Sequence, residues 1–274
     1  MKFQLQEQAL QSTLITAHRG LTCANIPGNT LDSFDAALVQ GADMIELDVA
    51  NSREGELFVF HPGMEFAFLG CDRRLYEMSN EEISHLRFLN FDRVPTTQPL
   101  FTLDQALEHL KGRCYINIDK YWDNPELITR ALKRHDMLDQ VVIKSTYSEQ
   151  VVQVLEELAH DIPFMLIVRD EDRYTDIFKK KNIRYVGTEV LFAKEDAPVA
   201  SDEYIQKMNA QNLIVWVNAI VYNYKSVLAA GHNDDISVVG RMDEGWGWLL
   251  DKKFNIIQTD FPLSLRMFMN SRKK

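Results

Sequence analysis

The fold is decided by a short stretch at residues 44–49, which runs Met-Ile-Glu-Leu-Asp-Val. Alternation of apolar and charged residues with a period of two is typical of a β-strand, whose successive side chains point to opposite faces. Glu46 and Asp48 therefore share one face of the predicted strand, roughly 6.5 to 7 Å apart along the chain. The apolar residues between them fit a face that is covered by helices. The stretch predicts a buried strand with one chemically active face.

Similar apolar runs recur along the whole chain. We predict eight strands, at Leu14–Ala17, Met44–Val49, Tyr115–Ile118, Val141–Ile143, Phe164–Val168, Ile183–Val186, Ile214–Val217 and Asn255–Ile257. Most runs are followed by a segment with helical periodicity, such as Thr30–Val39 and Ser148–His160. Strands that alternate with helices favour a parallel sheet, because each crossover returns the chain to the same edge. The 274 residues thus predict an α/β fold, a closed (β/α)8 TIM barrel, in a single domain spanning residues 1–274.

The alternation is interrupted between residues 51 and 110, which we predict to be a small insertion between the second and third barrel strands. Within it we expect an extra strand at Leu57–His61 and a helix at Ser79–Leu89. The segment is too short to bury a core of its own, so it is not expected to form a second domain.

Composition excludes several classes of function. Lysine and arginine number 30 against 40 aspartate and glutamate residues, which gives a net charge of −10. An acidic chain is a poor partner for nucleic acid, and contact with an anionic membrane surface is not expected. The three cysteines share no metal-ligand spacing. The N-terminus lacks a signal-peptide pattern and no apolar run approaches the roughly 20 residues that span a bilayer, so we predict a cytoplasmic location.

Carboxylates follow two neighbouring strands at the end of the barrel where parallel barrels carry their chemistry. Glu46 and Asp48 end the second strand, and Asp119 ends the third. Buried carboxylates raise each other's pKa unless a cation or a basic side chain compensates their charge. The group therefore fits a site for one Mg²⁺ or Ca²⁺ ion, which prefer oxygen ligands, and fits equally a salt bridge with a barrel arginine or lysine. Asp119 alone also fits a side chain that caps the next turn.

Two histidines are placed at the same mouth. His18 and Arg19 follow the first strand, and His61 ends the extra strand. Imidazole titrates near neutral pH, so the pair can act as general acid and general base. The planar guanidinium of Arg19 suits a phosphate, and Asn29 and Asn117 add hydrogen-bonding groups. This set favours chemistry at an anionic phosphorus centre.

The order of these motifs resembles that of the glycerophosphodiester phosphodiesterases, metal-dependent (β/α)8 barrels, over nearly the whole chain. The family motifs His-Arg-Gly, Pro-Glu-Asn-Thr, Gly-Ala-Asp, Glu-x-Asp-Val and Thr-Asp-x-Pro correspond to His18–Gly20, Pro27–Thr30, Gly41–Asp43, Glu46–Val49 and Thr259–Pro262. A late tryptophan of the family corresponds to Trp216. The resemblance implies that His18 and His61 are the acid/base pair and that Glu46, Asp48 and Asp119 bind the metal. It implies substrate or phosphate contacts for Arg19, Asn29, Asn117, Tyr121 and Trp216.

Four positions depart from the family's pattern. Gly28 replaces the glutamate of the turn, and Pro62 replaces the aspartate that follows the second histidine. Asp119 and Tyr121 stand where the family has Glu-x-Lys, so a positive charge is missing unless Lys120 or Lys144 supplies it from another position.

The function implied is hydrolysis of a glycerophosphodiester to glycerol 3-phosphate and an alcohol. The alternatives are an enzyme similar to lysophospholipase D and a barrel that binds a phosphoester without turning it over. The apolar loop Pro62–Gly70 bears on this choice, because it is expected to lie over the barrel mouth. We expect it to pack as a lid or wall, with a small water-soluble diester as the substrate. The sequence gives no indication of the oligomeric state.

Overall fold

The computed structural model describes residues 3–223 and 225–273, and its centre is a closed barrel of parallel strands. The strands are β1 (Leu14–Ala17), β2 (Met44–Asn51), β3 (Leu57–Val59), β4 (Tyr115–Asp119), β5 (Val141–Ser145), β6 (Phe164–Arg169), β7 (Tyr185–Leu191), β8 (Ile214–Asn218) and β9 (Ile256–Thr259). The sheet order is β1-β9-β8-β7-β6-β5-β4-β2, and pairing of β1 with β2 closes the barrel. The strand β3 runs antiparallel to β2 outside it. The predicted TIM barrel is confirmed.

Most barrel strands are followed by a helix that packs on the outside of the barrel. The helices of the described residues, including those before β1 and in the insertion, are α1 (Leu5–Gln11), α2 (Leu31–Val39), α3 (Glu65–Leu69), α4 (Asn80–Ser84), α5 (Leu103–Leu110), α6 (Pro125–His135), α7 (Glu149–Leu158), α8 (Thr175–Phe178), α9 (Asp202–Ala210), α10 (Asp234–Val238), α11 (Trp248–Asp251) and α12 (Pro262–Ser271). The helix α2 starts with a capping box, in which Thr30 and Ser33 each bond the other's backbone N–H. Among these described residues, no helix is both long and apolar enough to cross a bilayer.

The apolar residues form two layers around the strands. The larger cluster lies between the strands and the outer helices, where fully buried aliphatic side chains of both pack together. A second cluster fills the lower part of the barrel interior, with Met44, Met165 and Trp216 as members. Leu5 and Ala9 of α1 belong to this second cluster, so α1 closes the barrel at the amino ends of its strands. The open mouth is left at the carboxyl ends.

The insertion is smaller than predicted and has its own apolar cluster. The helix α5 packs into the main core, so the extra segment ends before Leu103 rather than at residue 110. The cluster consists of Ala50, Phe58, Phe60, Leu69, Leu75, Met78, Ile83, Phe88 and Leu100. This small cluster is shared with the barrel, since Ala50 of β2 is one of its members and β3, which lies within the segment, pairs with β2.

Two elements differ from the pattern read in the sequence. The predicted helix at Ser79–Leu89 ends at Ser84, because the N–H groups of Phe88 and Leu89 bond Gln98 and Phe68 across the insertion instead. The predicted strand at Ile183–Val186 is β7, which extends to Leu191. Its pairing with β6 shifts register next to Gly187, whose φ of 146° and whose contact with Ile214 leave no room for a Cβ atom. Gly187 and the polar residues after it interrupt the apolar run, so the sequence pattern does not show that the strand continues.

Candidate active site

Three carboxylates meet at the mouth of the barrel. The register of β2 and β4 places Asp48 directly opposite Asp119, with Glu46 two residues earlier on β2 and on the same face. One carboxylate oxygen from each residue lies within 4.8 Å of the other two. Glu46 and Asp48 are buried, and Asp119 is half-buried. Strand pairing therefore brings together the three carboxylates that the sequence predicted as a metal site.

Two of the three carboxylates have a basic partner, Asp48 in Arg19 and Asp119 in Lys120, whereas Glu46 forms no ion pair among the described residues. Burial and the negative charge of Asp48 raise the pKa of Glu46 to about 7. Burial also acts to raise the pKa of Asp119, but Lys120 and Lys144 outweigh it and hold that pKa below its usual range. A set of carboxylate oxygens at this spacing is the donor set that Mg²⁺ and Ca²⁺ prefer, and a divalent cation would remove the repulsion around Glu46.

Arg19 and Asn29 hold the carboxylates in place. The side chain of Asn29 donates to Asp48 Oδ2 at 2.9 Å, and its Oδ1 accepts the N–H of Asp48 at 3.2 Å. Arg19 Nε lies 3.0 Å from Asp48 Oδ2, while the N–H of Arg19 donates to Glu46 Oε2 at 2.9 Å. Both residues adopt left-handed backbone conformations, with φ of 57° and 61°, which residues other than glycine rarely adopt. Asn29, predicted as a contact for the substrate or its phosphate, directly precedes the helix cap Thr30 and supports Asp48.

The two predicted histidines face this cluster. His18 Nδ1 lies 2.9 Å from Asp260 Oδ1, and His61 Nδ1 donates to the carbonyl of Pro62 at 2.8 Å. The second nitrogen of His61, Nε2, lies 3.9 Å from Asp48 Oδ1. Burial disfavours the charged form of His18, but the hydrogen bond to Asp260 and the negative charge of Glu46 outweigh it and raise the pKa of His18 above its usual value. In each ring Nδ1 makes the hydrogen bond, so Nε2, which has no hydrogen-bond partner among the described residues, is available for proton transfer.

Asp260 is itself held from behind by a buried carboxylate that we did not single out in the sequence. Asp234 accepts hydrogen bonds from Trp246 Nε1 and Thr259 Oγ1, both at 2.7 Å, and from the N–H of Asp260 at 2.8 Å. Burial raises the pKa of Asp234 to about 7 against the effect of these bonds. The chain from Asp234 through Asp260 fixes the orientation of the His18 ring.

The opposite side of the mouth carries a buried ion pair. Lys144 Nζ lies 2.8 Å from Glu189 Oε2, and the side chain of Asn218 donates to Glu189 Oε1. Glu189 was missed because its strand was read as ending at Val186. The ring of Trp216 packs 4.0 Å below the Lys144 ammonium, and its Nε1 donates to Asn218.

Three predicted substrate contacts take different places. Asn117 lies on the inner face, buried, with its Nδ2 bonded to the carbonyl of Val142 and its Oδ1 without a hydrogen-bond partner in the described structure. Trp216 is fully buried beneath Lys144, so it forms the floor of the site rather than its surface. Tyr121 lies in the core, where its hydroxyl bonds Thr129 at 2.7 Å. A short 3-10 turn after β4 carries Tyr121 away from the mouth, so the substrate contact expected of it is wrong.

Comparison with known proteins agrees with this geometry. The sequence model of the glycerophosphoryl diester phosphodiesterase family matches residues 18–262. A curated glycerophosphodiester phosphodiesterase of Caldanaerobacter subterraneus subsp. tengcongensis is 30% identical over 142 residues, which cover 48% of this chain and 58% of that protein.

Solved structures show the same fold. A glycerophosphodiester phosphodiesterase of Agrobacterium tumefaciens superposes with a TM-score of 0.66 at 25% identity, covering 92% of this chain and 98% of that one. A phosphodiesterase of Oleispira antarctica, solved in complex with its product sn-glycerol-3-phosphate, gives a TM-score of 0.68 at 16% identity, covering 95% and 98% of the two chains. Because the family model matches residues 18–262, which include every residue of the barrel mouth described above, the chain belongs to the glycerophosphoryl diester phosphodiesterase family and is a phosphodiesterase.

Proposed function

We propose that the chain hydrolyses glycerophosphodiesters to glycerol 3-phosphate and an alcohol, with one divalent cation. The observation that carries the proposal is the meeting of three carboxylates, Arg19 and two histidines at a single barrel mouth. The related Oleispira phosphodiesterase, which was solved with sn-glycerol-3-phosphate, supports this choice of product.

Glu46, Asp48 and Asp119 would hold the cation, either Mg²⁺ or Ca²⁺. When bound, such an ion neutralises charge on the phosphate and polarises its oxygens. Arg19, whose Nε already lies against Asp48, has further N–H groups for the phosphate.

The histidines move the protons. His61, with its Nδ1 proton held by the Pro62 carbonyl, accepts a proton at Nε2 from the nucleophile as the new P–O bond forms. His18, whose charged form is favoured by the hydrogen bond to Asp260, donates a proton from Nε2 to the leaving alcohol as the old P–O bond breaks. The nucleophile is either water or the 2-hydroxyl of the glycerol, and a cyclic phosphate product would indicate the hydroxyl.

The test measures glycerol 3-phosphate released from glycerophosphocholine and glycerophosphoethanolamine, with and without a chelator. We expect chelation to abolish release and Mg²⁺, Mn²⁺ or Ca²⁺ to restore it. Far-UV circular dichroism should barely change, because the ligands lie at the mouth rather than in the packed core. Full activity in excess chelator would exclude the metal. Binding of a diester without any turnover, with metal present, would favour the barrel that only binds phosphoesters.

A further inference from the structure

A cavity of about 500 Å³ adjoins the candidate active site. Arg19, Asn29 and His61 line one side of it, and these same residues contact Asp48. The rest of the wall comes from the loop after β1 and from the insertion. Its apolar side chains include Ile26, Phe60, Ala67, Phe68, Leu89 and Phe91. The volume falls within the roughly 300 to 1,000 Å³ that is usual for small-molecule sites.

Arg19 joins the ionic site to the apolar wall. Its Nε lies 3.0 Å from Asp48 Oδ2, and its Cζ lies 5.9 Å from the centre of the Phe68 ring. A phosphate that Arg19 binds therefore has the Phe68 wall within reach of its substituent. The helix α3, which carries Ala67 and Phe68, forms this wall, and it lies within the loop Pro62–Gly70 that was expected to pack as a lid or wall. The side of the helix that lines the cavity is apolar.

The charge of the cavity argues against a cationic alcohol. The described lining residues include Arg19 and Arg93 but no carboxylate. The Phe68 ring, which lines the cavity, is already approached by the guanidinium of Arg19. A quaternary ammonium would therefore meet the positive charges of Arg19 and Arg93, and would compete with Arg19 for the face of Phe68. A neutral aliphatic chain meets no such repulsion.

We propose that this cavity binds an aliphatic chain carried by the phosphodiester substrate. The proposal rests on the catalytic function proposed above and names its substrate class, a diester with one apolar substituent. It revises the expected preference for a small water-soluble diester. The net charge of −10 opposes attraction to an anionic membrane surface, but it does not act on a single uncharged chain inside a cavity.

The first experiment is a chain-length series. Glycerophospho-n-alkanols from two to ten carbons place the chain on the leaving alcohol, and lysophosphatidylcholines of matched length place it on the glycerol. All are used below the concentrations at which they form micelles. We expect kcat/KM to rise up to about fourfold per methylene in one of the two series and to level off when the cavity is full. A flat or falling profile in both series would overturn the proposal.

A pair of variants on α3 locates the effect. Ala67→Trp fills the cavity and should remove the gain with chain length, whereas Phe66→Ser should keep it. Phe66 is a matched control because it is 60% exposed on the same helix and does not line the cavity. Loss of the gain in Phe66→Ser but not in Ala67→Trp would overturn the proposal in favour of contact with a lipid surface. If Ala67→Trp does not fold by circular dichroism, Ile26→Ser replaces it and should reduce the gain.

Two further measurements separate this proposal from the catalytic one. Calorimetry of octyl phosphate against ethyl phosphate reports the cavity without turnover, and we expect tighter binding of octyl phosphate by about 10²-fold or more. Equal binding of the two would overturn the cavity proposal even if diesters are hydrolysed. Preferential octyl binding that Ala67→Trp removes would support it even if no diester is hydrolysed. Faster turnover of glycerophosphocholine than of its neutral 3,3-dimethylbutyl analogue would instead indicate recognition of a cation and overturn the proposal.

Discussion

The two sides of the barrel mouth treat charge in opposite ways. On the side of β5, β7 and β8, Lys144 lies 2.8 Å from Glu189 Oε2 and Asn218 donates a hydrogen bond to Glu189 Oε1. We call this the paired side. On the side of β1, β2 and β4, three carboxylates gather within 4.8 Å, and the pKa of Glu46 is raised to about 7. We call this the acidic side.

The difference shows which side is built for a ligand. The paired side is electrically complete, since each buried charge has its opposite. On the acidic side Arg19 pairs with Asp48 and Lys120 with Asp119, but the raised pKa of Glu46 indicates an excess of negative charge, which a bound cation would offset. The paired side also acts on the acidic side, because Lys144 contributes to lowering the pKa of Asp119. The positive charge that the family motif places two residues after Asp119 is thus partly supplied by Lys120, at 2.9 Å from Asp119, and by Lys144.

The largest effects are expected on the acidic side, at its proton carriers. His18→Ala and His61→Ala should each lower turnover by about 10²- to 10⁴-fold, the usual contribution of one acid or base. Both side chains lie at the mouth, so unfolding temperatures should stay near that of the wild type. The surface variant His85→Ala is the control. A His61→Ala enzyme that retains most of the wild-type kcat would show that the two histidines do not work as a pair.

The acidic side was predictable because its residues follow strands whose order the apolar pattern reveals. Glu46 and Asp48 alternate with apolar residues, and parallel pairing then brings Asp119 beside them. Tyr121 could not be placed in this way. One turn of 3-10 helix decides whether a residue just after a strand faces the mouth or the core, and side-chain type does not report such a turn.

The paired side was only partly predictable. Glu189 lies in β7 beyond Gly187, where the register shift breaks the apolar run that marks a strand. Behind His18, on the acidic side, Asp234 could not be recognised either, because it acts through the backbone of Asp260 and belongs to a helix of only five residues. Contacts made between distant segments leave no local periodicity to read.

The next effect tests whether the paired side is complete in itself. Lys144→Met should lower the free energy of unfolding by about 3 to 5 kcal/mol, because it leaves Glu189 buried without its cation. The double variant Lys144→Met/Glu189→Gln should recover most of this loss. Urea denaturation measures both. Lys252→Met is the control, since its pair with Asp202 is exposed and is worth at most about 1 kcal/mol. Equal costs for Lys144→Met and Lys252→Met would contradict the comparison.

A smaller effect is expected at Asn29, which supports the acidic side without being one of its carboxylates. Asn29→Ala removes two hydrogen bonds from Asp48 and should weaken binding of Mg²⁺ or Ca²⁺ by about 10- to 100-fold. Isothermal titration calorimetry of the protein with each metal measures this directly. The exposed Asn182→Ala provides the control and should bind metal as the wild type does. Unchanged affinity in Asn29→Ala would mean that Asp48 needs no support from Asn29.

The last effect concerns Asp234, the carboxylate behind the His18 partner. Its pKa is about 7 in the folded protein against about 3.8 for an ordinary aspartate, so the folded state binds the proton more tightly. Raising the pH from about 4 to about 7 therefore favours the unfolded chain. Asp234→Asn does not titrate, so the stability of the wild type relative to this variant should fall with pH, by up to about 1.4 kcal/mol per unit, and become constant above pH 7.

Urea denaturation of both proteins between pH 4 and pH 8 gives this slope, with the 92% exposed Asp243→Asn as the control. The same substitution also reaches the catalytic centre. An amide cannot accept at both positions, so at least one of Trp246, Thr259 and the N–H of Asp260 loses its acceptor. If Asp260 shifts in consequence, His18 loses its partner and kcat falls while KM changes little. If the free energies of unfolding of wild type and Asp234→Asn instead change with pH in parallel, Asp234 stays ionised throughout this range and is stabilised by its three hydrogen-bond donors.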